Sequence, residues 1–100
     1  MRIDERTRVE QTVQRWATQH GLLYIKLELQ HHKGQPDDMF YLPGGRPILM
    51  EFKAPGEEPD PLQEFTHQQL RYLGYEIYVI DDPQEGIRIL EAAQVSRAGH

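Results

Sequence analysis

Apolar residues recur at helical spacing over residues 5–20. Val9, Val13 and Trp16 stand four and three apart, with Ala17 beside them, so one face of a helix is apolar and Trp16 reads as core. Asp4 suits the N-cap, and Gly21, just past His20, suits the stop. Glu10 precedes Val13 by three and Ala17 by seven, at the border of that face. The pattern then changes period. Leu22 to Leu29 is apolar and aromatic, with Lys26 and Glu28 at alternate positions, which predicts a strand. Residues 30–38 are polar and predict a loop. Met39 to Leu42 predicts a short strand, Pro43-Gly44-Gly45 a turn, and Pro47 to Lys53 a strong strand. The apolar start of that last strand predicts burial on both faces. A hairpin between the two strands follows.

Ala54 to Pro61 holds three prolines, three acids and a glycine, so it is a connecting loop. Helical period returns over 62–73, with Leu62, Phe65, Gln69 and Leu73 on one face and Leu70 flanking. Tyr75 to Ile80 predicts a strand, Asp81-Asp82-Pro83 a turn, and residues 84–94 a short helix carrying Ile87, Leu90 and Ala93. The order is helix, strand, strand, strand, helix, strand, helix. This predicts an α/β fold with a central mixed sheet of about four strands flanked by helices. At 100 residues the chain is expected to form one domain.

Composition adds exclusions. Hydrophobic residues make up 38% and charged residues 27%, globular values that exclude wholesale disorder. There is no cysteine, which excludes disulfides and thiolate metal sites. The first residues carry charges and no apolar run, so no secretory signal is expected, and no stretch approaches the roughly 18 apolar residues of a membrane span. A cytoplasmic location is the expectation. The net charge of −5 argues against a general nucleic-acid coat. It is uneven, however. Residues 1–33 hold six basic and four acidic side chains, whereas residues 54–100 hold three basic and nine acidic.

The candidate chemistry gathers around the hairpin. Asp37 stands where the loop enters a strand, and Glu51 and Lys53, two apart on a strand, leave the same face. Antiparallel pairing would bring Asp37 near both, and Glu10 could approach from the helix. Asp37 and Glu51 can hold a hard divalent cation, Mg²⁺ or Mn²⁺, with the Phe52 carbonyl as a further ligand if it escapes sheet pairing. Such a cation polarises a phosphodiester, while Lys53 orients the attacking water and offsets transition-state charge. The bland readings are a strand-surface ion pair for Glu51 and Lys53 and a turn at Pro36, with Asp38 the better turn former. An idle ion pair on so apolar a strand would lose more by desolvation than it gains.

Pro36-Asp37 followed by Glu51-Phe52-Lys53, in this element order, resembles the PD-(D/E)xK nuclease superfamily and implies its restriction-endonuclease-like core. Gly34-Gln35-Pro36-Asp37, Glu51-Phe52-Lys53-Ala54-Pro55-Gly56, Pro61-Leu62-Gln63, and Leu70 with Leu73-Gly74-Tyr75 resemble the VRR-NUC family over about residues 5–82. The resemblance implies a metal-dependent endonuclease for structured DNA, with four-way (Holliday) junctions cut by a homodimer. Carried over, Glu10 is the helical acid completing the outer shell of the cation, Asp37 and Glu51 are the ligands, Lys53 is the catalytic lysine, and Gln63 is the polar residue opening the next helix. One departure stands out: Glu57, Glu58 and Asp60 make the loop before Gln63 acidic, where the family often has basic or small residues. His31, His32 and Lys33 suit phosphate contact better than zinc, lacking cysteine and His-x-x-x-His spacing. Arg2, Arg6, Arg8 and Arg15 are further candidates to line DNA. A catalytically silent DNA- or protein-binding domain of the same fold is the alternative.

Overall fold

The structure, a computed structural model, describes residues 3–27 and 34–98. The expectations for Arg2, Glu28, Leu29, His31, His32 and Lys33 lie outside the described residues. Seven elements follow in the expected order: α1 (Glu5–Gln19), β1 (Leu23–Lys26), β2 (Asp38–Leu42), β3 (Arg46–Phe52), α2 (Pro61–Tyr72), β4 (Glu76–Ile80) and α3 (Pro83–Ala98). The sheet order is β1-β2-β3-β4, antiparallel except for the parallel β3–β4 pair, which α2 connects.

Local chemistry accounts for the element ends. The Asp4 carboxylate accepts the Thr7 N–H at 2.7 Å and caps α1. Asp60 caps α2, and Gln63 returns the contact by accepting the Asp60 N–H, a reciprocal capping box. The acidic loop thus has a structural use: Asp60 starts α2, and the Glu57 carboxylate accepts the Ala54 N–H at 2.9 Å. Glu58 is exposed.

Register divides the sheet into two faces. Phe40, Ile48, Met50, Phe52 and Ile80 point to one face, where Val9, Val13 and Ala17 of α1 and Leu90 and Ala93 of α3 close the core. The other face carries Leu23, Ile25, Met39, Tyr41, Leu49, Glu51, Ile77 and Val79. Helix α2 covers its β4 side, leaving Leu23, Ile25 and Tyr41 exposed. As its apolar sequence predicts, β3 is central, with Ile48 to Phe52 all buried.

Two expectations change. Helix α3 runs to Ala98 rather than stopping at residue 94. The inward face of α2 is also turned by one residue from the predicted stripe. Leu62, Phe65 and Leu73 are exposed, while His67 is buried and Gln63 and Leu70 are half-buried. The sheet beneath α2 carries Glu51, so polar partners face inward there.

Gly86 marks the closest approach of α3 to the core. A Cβ on it would stand 2.9 Å from Val13 Cγ2 and 3.3 Å from Ile80 Cγ2. Gly86→Ala is expected to destabilise the protein by about 1–3 kcal/mol in urea denaturation, the usual cost of overpacking, despite the better helix propensity of alanine.

Candidate active site

The hairpin and α2 bring four of the predicted residues together, Asp37, Glu51, Lys53 and Gln63. Asp37 lies just before β2, and its N–H donates to the Met50 carbonyl at 3.0 Å, anchoring the loop end to β3. Its Oδ2 accepts the Phe52 N–H at 2.8 Å. Gly34 makes this approach possible. Its φ is +89°, and a Cβ there would lie 2.9–3.0 Å from Thr66 Oγ1 and from Leu62 Cγ and carbonyl oxygen. The glycine of the Gly-Gln-Pro-Asp run therefore seats the Asp37 loop against α2.

Glu51 is only 2% exposed, beneath α2. Its Oε2 accepts Gln63 Nε2 at 2.9 Å. The capping box holds the Gln63 amide by its oxygen, so its NH₂ is the end presented to Glu51. Lys53 Nζ stands 3.9 Å from Glu51 Oε2. Glu51 Oε1 is buried without a hydrogen-bond partner. Burial, then the Asp37 charge, push the Glu51 carboxyl up to about 8.

Phe52 places its ring in the core, as a strand residue between Glu51 and Lys53 must. On the β4 side it is Lys53 N–H that donates to Ile80, while the Phe52 N–H faces Asp37. The Phe52 carbonyl leaves the strand on that same side. The β2–β3 pairing ends at Asp38↔Met50, so no β2 residue stands opposite it.

Glu10 is also buried, but it joins the site through other groups. Its Oε2 accepts Lys26 Nζ at 2.7 Å and Gln14 Nε2 at 3.2 Å. Arg6 bridges it to Asp37: NH1 lies 3.5 Å from Glu10 Oε1 and NH2 lies 2.7 Å from Asp37 Oδ1. Burial opposes the Arg6 charge, but Asp37, Glu10 and Glu51 outweigh it and hold the guanidinium above its usual range. Arg8 and Arg15 are exposed on α1.

Two residues of this cluster escaped the sequence reading. Asp38 is not a turn former. It opens β2, is fully buried, and accepts Gln14 Nε2 at 3.0 Å. Burial, then the neighbouring Glu10 charge, push it up to about 7. His67 is buried with Nε2 unpartnered, 3.9 Å from the unpartnered Glu51 Oε1. Burial, then the Arg71 charge, push its imidazole below the usual value. Its spacing of four from Gln63 was the available signal, since i and i+4 share a helix face.

Among the described residues no three His, Asp or Glu side chains converge as a ready metal cage. The donor set fits a hard divalent cation that keeps water: two carboxylates, Asp37 and Glu51, the latter with a buried oxygen that has no hydrogen-bond partner, and one backbone carbonyl. Soft thiolate donors are absent.

No family model matches the sequence. The fold is similar to a solved structure of a VRR_NUC domain, with a TM-score of 0.79 and 26% identity over 89% of this chain and 97% of that one. The fold is that of a VRR_NUC domain, and the likeness supports membership of the VRR-NUC family. A phage relative is 41% identical over 61 residues: "Putative nuclease p44" of Acyrthosiphon pisum secondary endosymbiont phage 1. That match takes in 61% of this chain and 64% of the relative's length, slightly under two thirds. The VRR-NUC fold observed here has the four-stranded mixed sheet and three flanking helices expected from the element order. Among the described residues no helix is long and apolar enough to cross a membrane.

Proposed function

We propose that this chain is a Mg²⁺- or Mn²⁺-dependent endonuclease that cuts structured DNA, four-way junctions in particular, as a homodimer. The observation that carries the reading is the buried Glu51 carboxylate: Oε1 has no hydrogen bond, Lys53 Nζ stands 3.9 Å from Oε2, and the Asp37 charge acts on the group. Burying a carboxylate in this way is costly unless positive charge comes to it. Asp37, Glu51 and the Phe52 carbonyl would hold the cation, with Glu10 in the outer shell. A bound divalent cation supplies Lewis acidity to the phosphodiester and stabilises charge on its oxygens. Lys53 orients the attacking water and offsets negative charge as it develops. Gln63 holds the Glu51 carboxylate in place. Hydrolysis in this sense leaves a 5′-phosphate.

The homodimer draws support from the half-covered sheet face. Leu23 (73% exposed), Ile25 and Tyr41 lie open on it, and Phe65 (56%) and Leu73 are exposed on α2. A groove of about 510 Å³ runs along α2 between Gln35, Phe65, Leu70 and Leu73. An apolar surface of this kind on so small a domain suits a second copy. Tyr41→Glu/Phe65→Glu is expected to shift the protein from dimer to monomer in sedimentation velocity. A monomeric wild type would remove the dimer from the reading.

The activity test is a digest of four-way junction, flap and duplex DNA with Mg²⁺ or Mn²⁺. Junction cutting that EDTA abolishes is expected, with product ends that a ligase can seal. A folded protein that cuts none of the three overturns the reading.

A further inference from the structure

Four carboxyl groups, Glu10, Asp37, Asp38 and Glu51, crowd one end of the sheet, but their demand for positive charge is not equally met. Both Glu10 oxygens are engaged, one by Arg6 and the other by Lys26 and Gln14. Asp37 is engaged on both oxygens by Arg6 and the Phe52 N–H. Asp38 accepts Gln14 through Oδ2 and keeps Oδ1 without a hydrogen-bond partner, but it is fully buried on the core face of the sheet, the face opposite Glu51. On the Glu51 face, one Glu51 oxygen is held by Gln63 and the other has no hydrogen bond, with His67 Nε2 3.9 Å away. The unmet demand lies on the Glu51 side of Asp37. On the Glu10 side a guanidinium already supplies the charge.

Resting on the nuclease reading above, we propose that each site takes a single divalent cation, and that Arg6 stands where a second cation shared by Asp37 and Glu10 would have to sit. The planar guanidinium presents separate N–H groups to separate oxygens, so it can span two carboxylates as a compact ammonium cannot. It stays charged at every working pH, and a divalent ion entering between Asp37 and Glu10 would meet that charge at close range. Arg6 sits in the first turn of α1 and is about a third exposed, so it also offers permanent positive charge to a phosphate oxygen. Glu10 is then a positioning residue: with Lys26 and Gln14 behind it, it aims Arg6 at Asp37.

The test is a count of bound Mn²⁺ in DNA-free protein, by calorimetry and by electron paramagnetic resonance of the free ion, at pH 7.5 and constant ionic strength. Wild type is expected to bind one ion per chain. Arg6→Gln, which removes the charge from a half-buried helical position, is expected to bind two. The double variant Arg6→Gln/Glu10→Gln is expected to return to one, placing the second ion on Glu10. In the wild-type background, Glu10→Gln is expected to keep one ion per chain, because Glu10 does not ligate it. Two ions per chain in wild type would overturn the proposal. So would one ion in a folded Arg6→Gln variant, or two ions in a folded Arg6→Gln/Glu10→Gln variant. A folded wild type that binds none, with or without an uncleavable junction present, overturns the metal-dependent reading itself. That outcome is distinct from any of the counts above.

Discussion

Glu51→Gln is expected to abolish junction cleavage and, in the same molecule, to raise thermal stability. The two effects have one cause. Glu51 is nearly excluded from water, and burial and Asp37 hold its carboxyl near 8 rather than 4.5. At pH 7 the folded protein therefore either protonates the group or buries its charge, at a cost on the order of 3 kcal/mol. The amide keeps the shape and can still accept Gln63 Nε2 through its oxygen, but it carries no charge. A gain of about 1–3 kcal/mol, or roughly 5–15 °C in Tm, is expected for the metal-free variant. Cleavage should fall by at least about three orders of magnitude, because an amide cannot replace a carboxylate ligand. Mn²⁺ should stabilise wild type and leave the variant unmoved. A variant that is no more stable than wild type at pH 7 would show that Glu51 is not under strain.

The pH dependence follows from the same shifts. Glu51 and Asp38 both have raised folded-state values, about 8 and about 7. Their contributions are fully present below the unfolded values of 4.5 and 3.8 and are lost as pH rises through 7 and 8. Asp4 and Glu76 act in the opposite sense. The Thr7 N–H and Arg46 hold them below their usual values, so their contribution is lost only as pH falls. Metal-free stability should peak near pH ~5 and decline toward pH ~8.5. Glu51→Gln should remove much of that decline, and Asp38→Asn most of the remainder.

These acids also show how much could be read from the chain. Asp37, Glu51, Lys53 and Gln63 were legible because each sits at a fixed offset within one local element, and strand and helix periodicity fix which side chains share a face. The hairpin then brings the elements together through short turns. Asp38 and His67 were not legible, since their roles depend on what packs against them from distant parts of the chain. Two residues after Pro36, Asp38 has the local chemistry of a turn residue, and only the docking of α1 turns it into a buried acid beside Glu10. His67 lies off the stripe that hydrophobicity picked out on α2. The stripe itself was real, but Leu62, Phe65 and Leu73 are exposed in the single chain, so the apolar face does not point to this chain's core. Periodicity detects a face to be covered; it does not say whether the cover comes from the same chain. Arg6 was legible as a cation near DNA, whereas its bridge between Asp37 and Glu10 needs the tertiary fold.

Lys53→Met is expected to separate catalysis from metal binding. The ammonium is 3.9 Å from Glu51 Oε2 and largely shielded from water, so its charge lowers the Glu51 value and competes with any cation brought to the carboxylate. Methionine keeps much of the length and the apolar stem. With the charge gone, Glu51 gains affinity for a divalent ion, and Mn²⁺ should bind as tightly as in wild type or up to about tenfold tighter. Cleavage should nonetheless fall by about 10²–10⁴, the span associated with losing a positioned proton-transfer or charge-stabilising group. Lys53→Arg is not expected to restore it, because a planar fork does not reproduce the point charge of an ammonium in so confined a place. Calorimetry and single-turnover cleavage on one preparation make the comparison. If metal affinity and cleavage fall together, Lys53 serves to build the site; if cleavage alone falls, Lys53 acts on the reacting phosphate and its water.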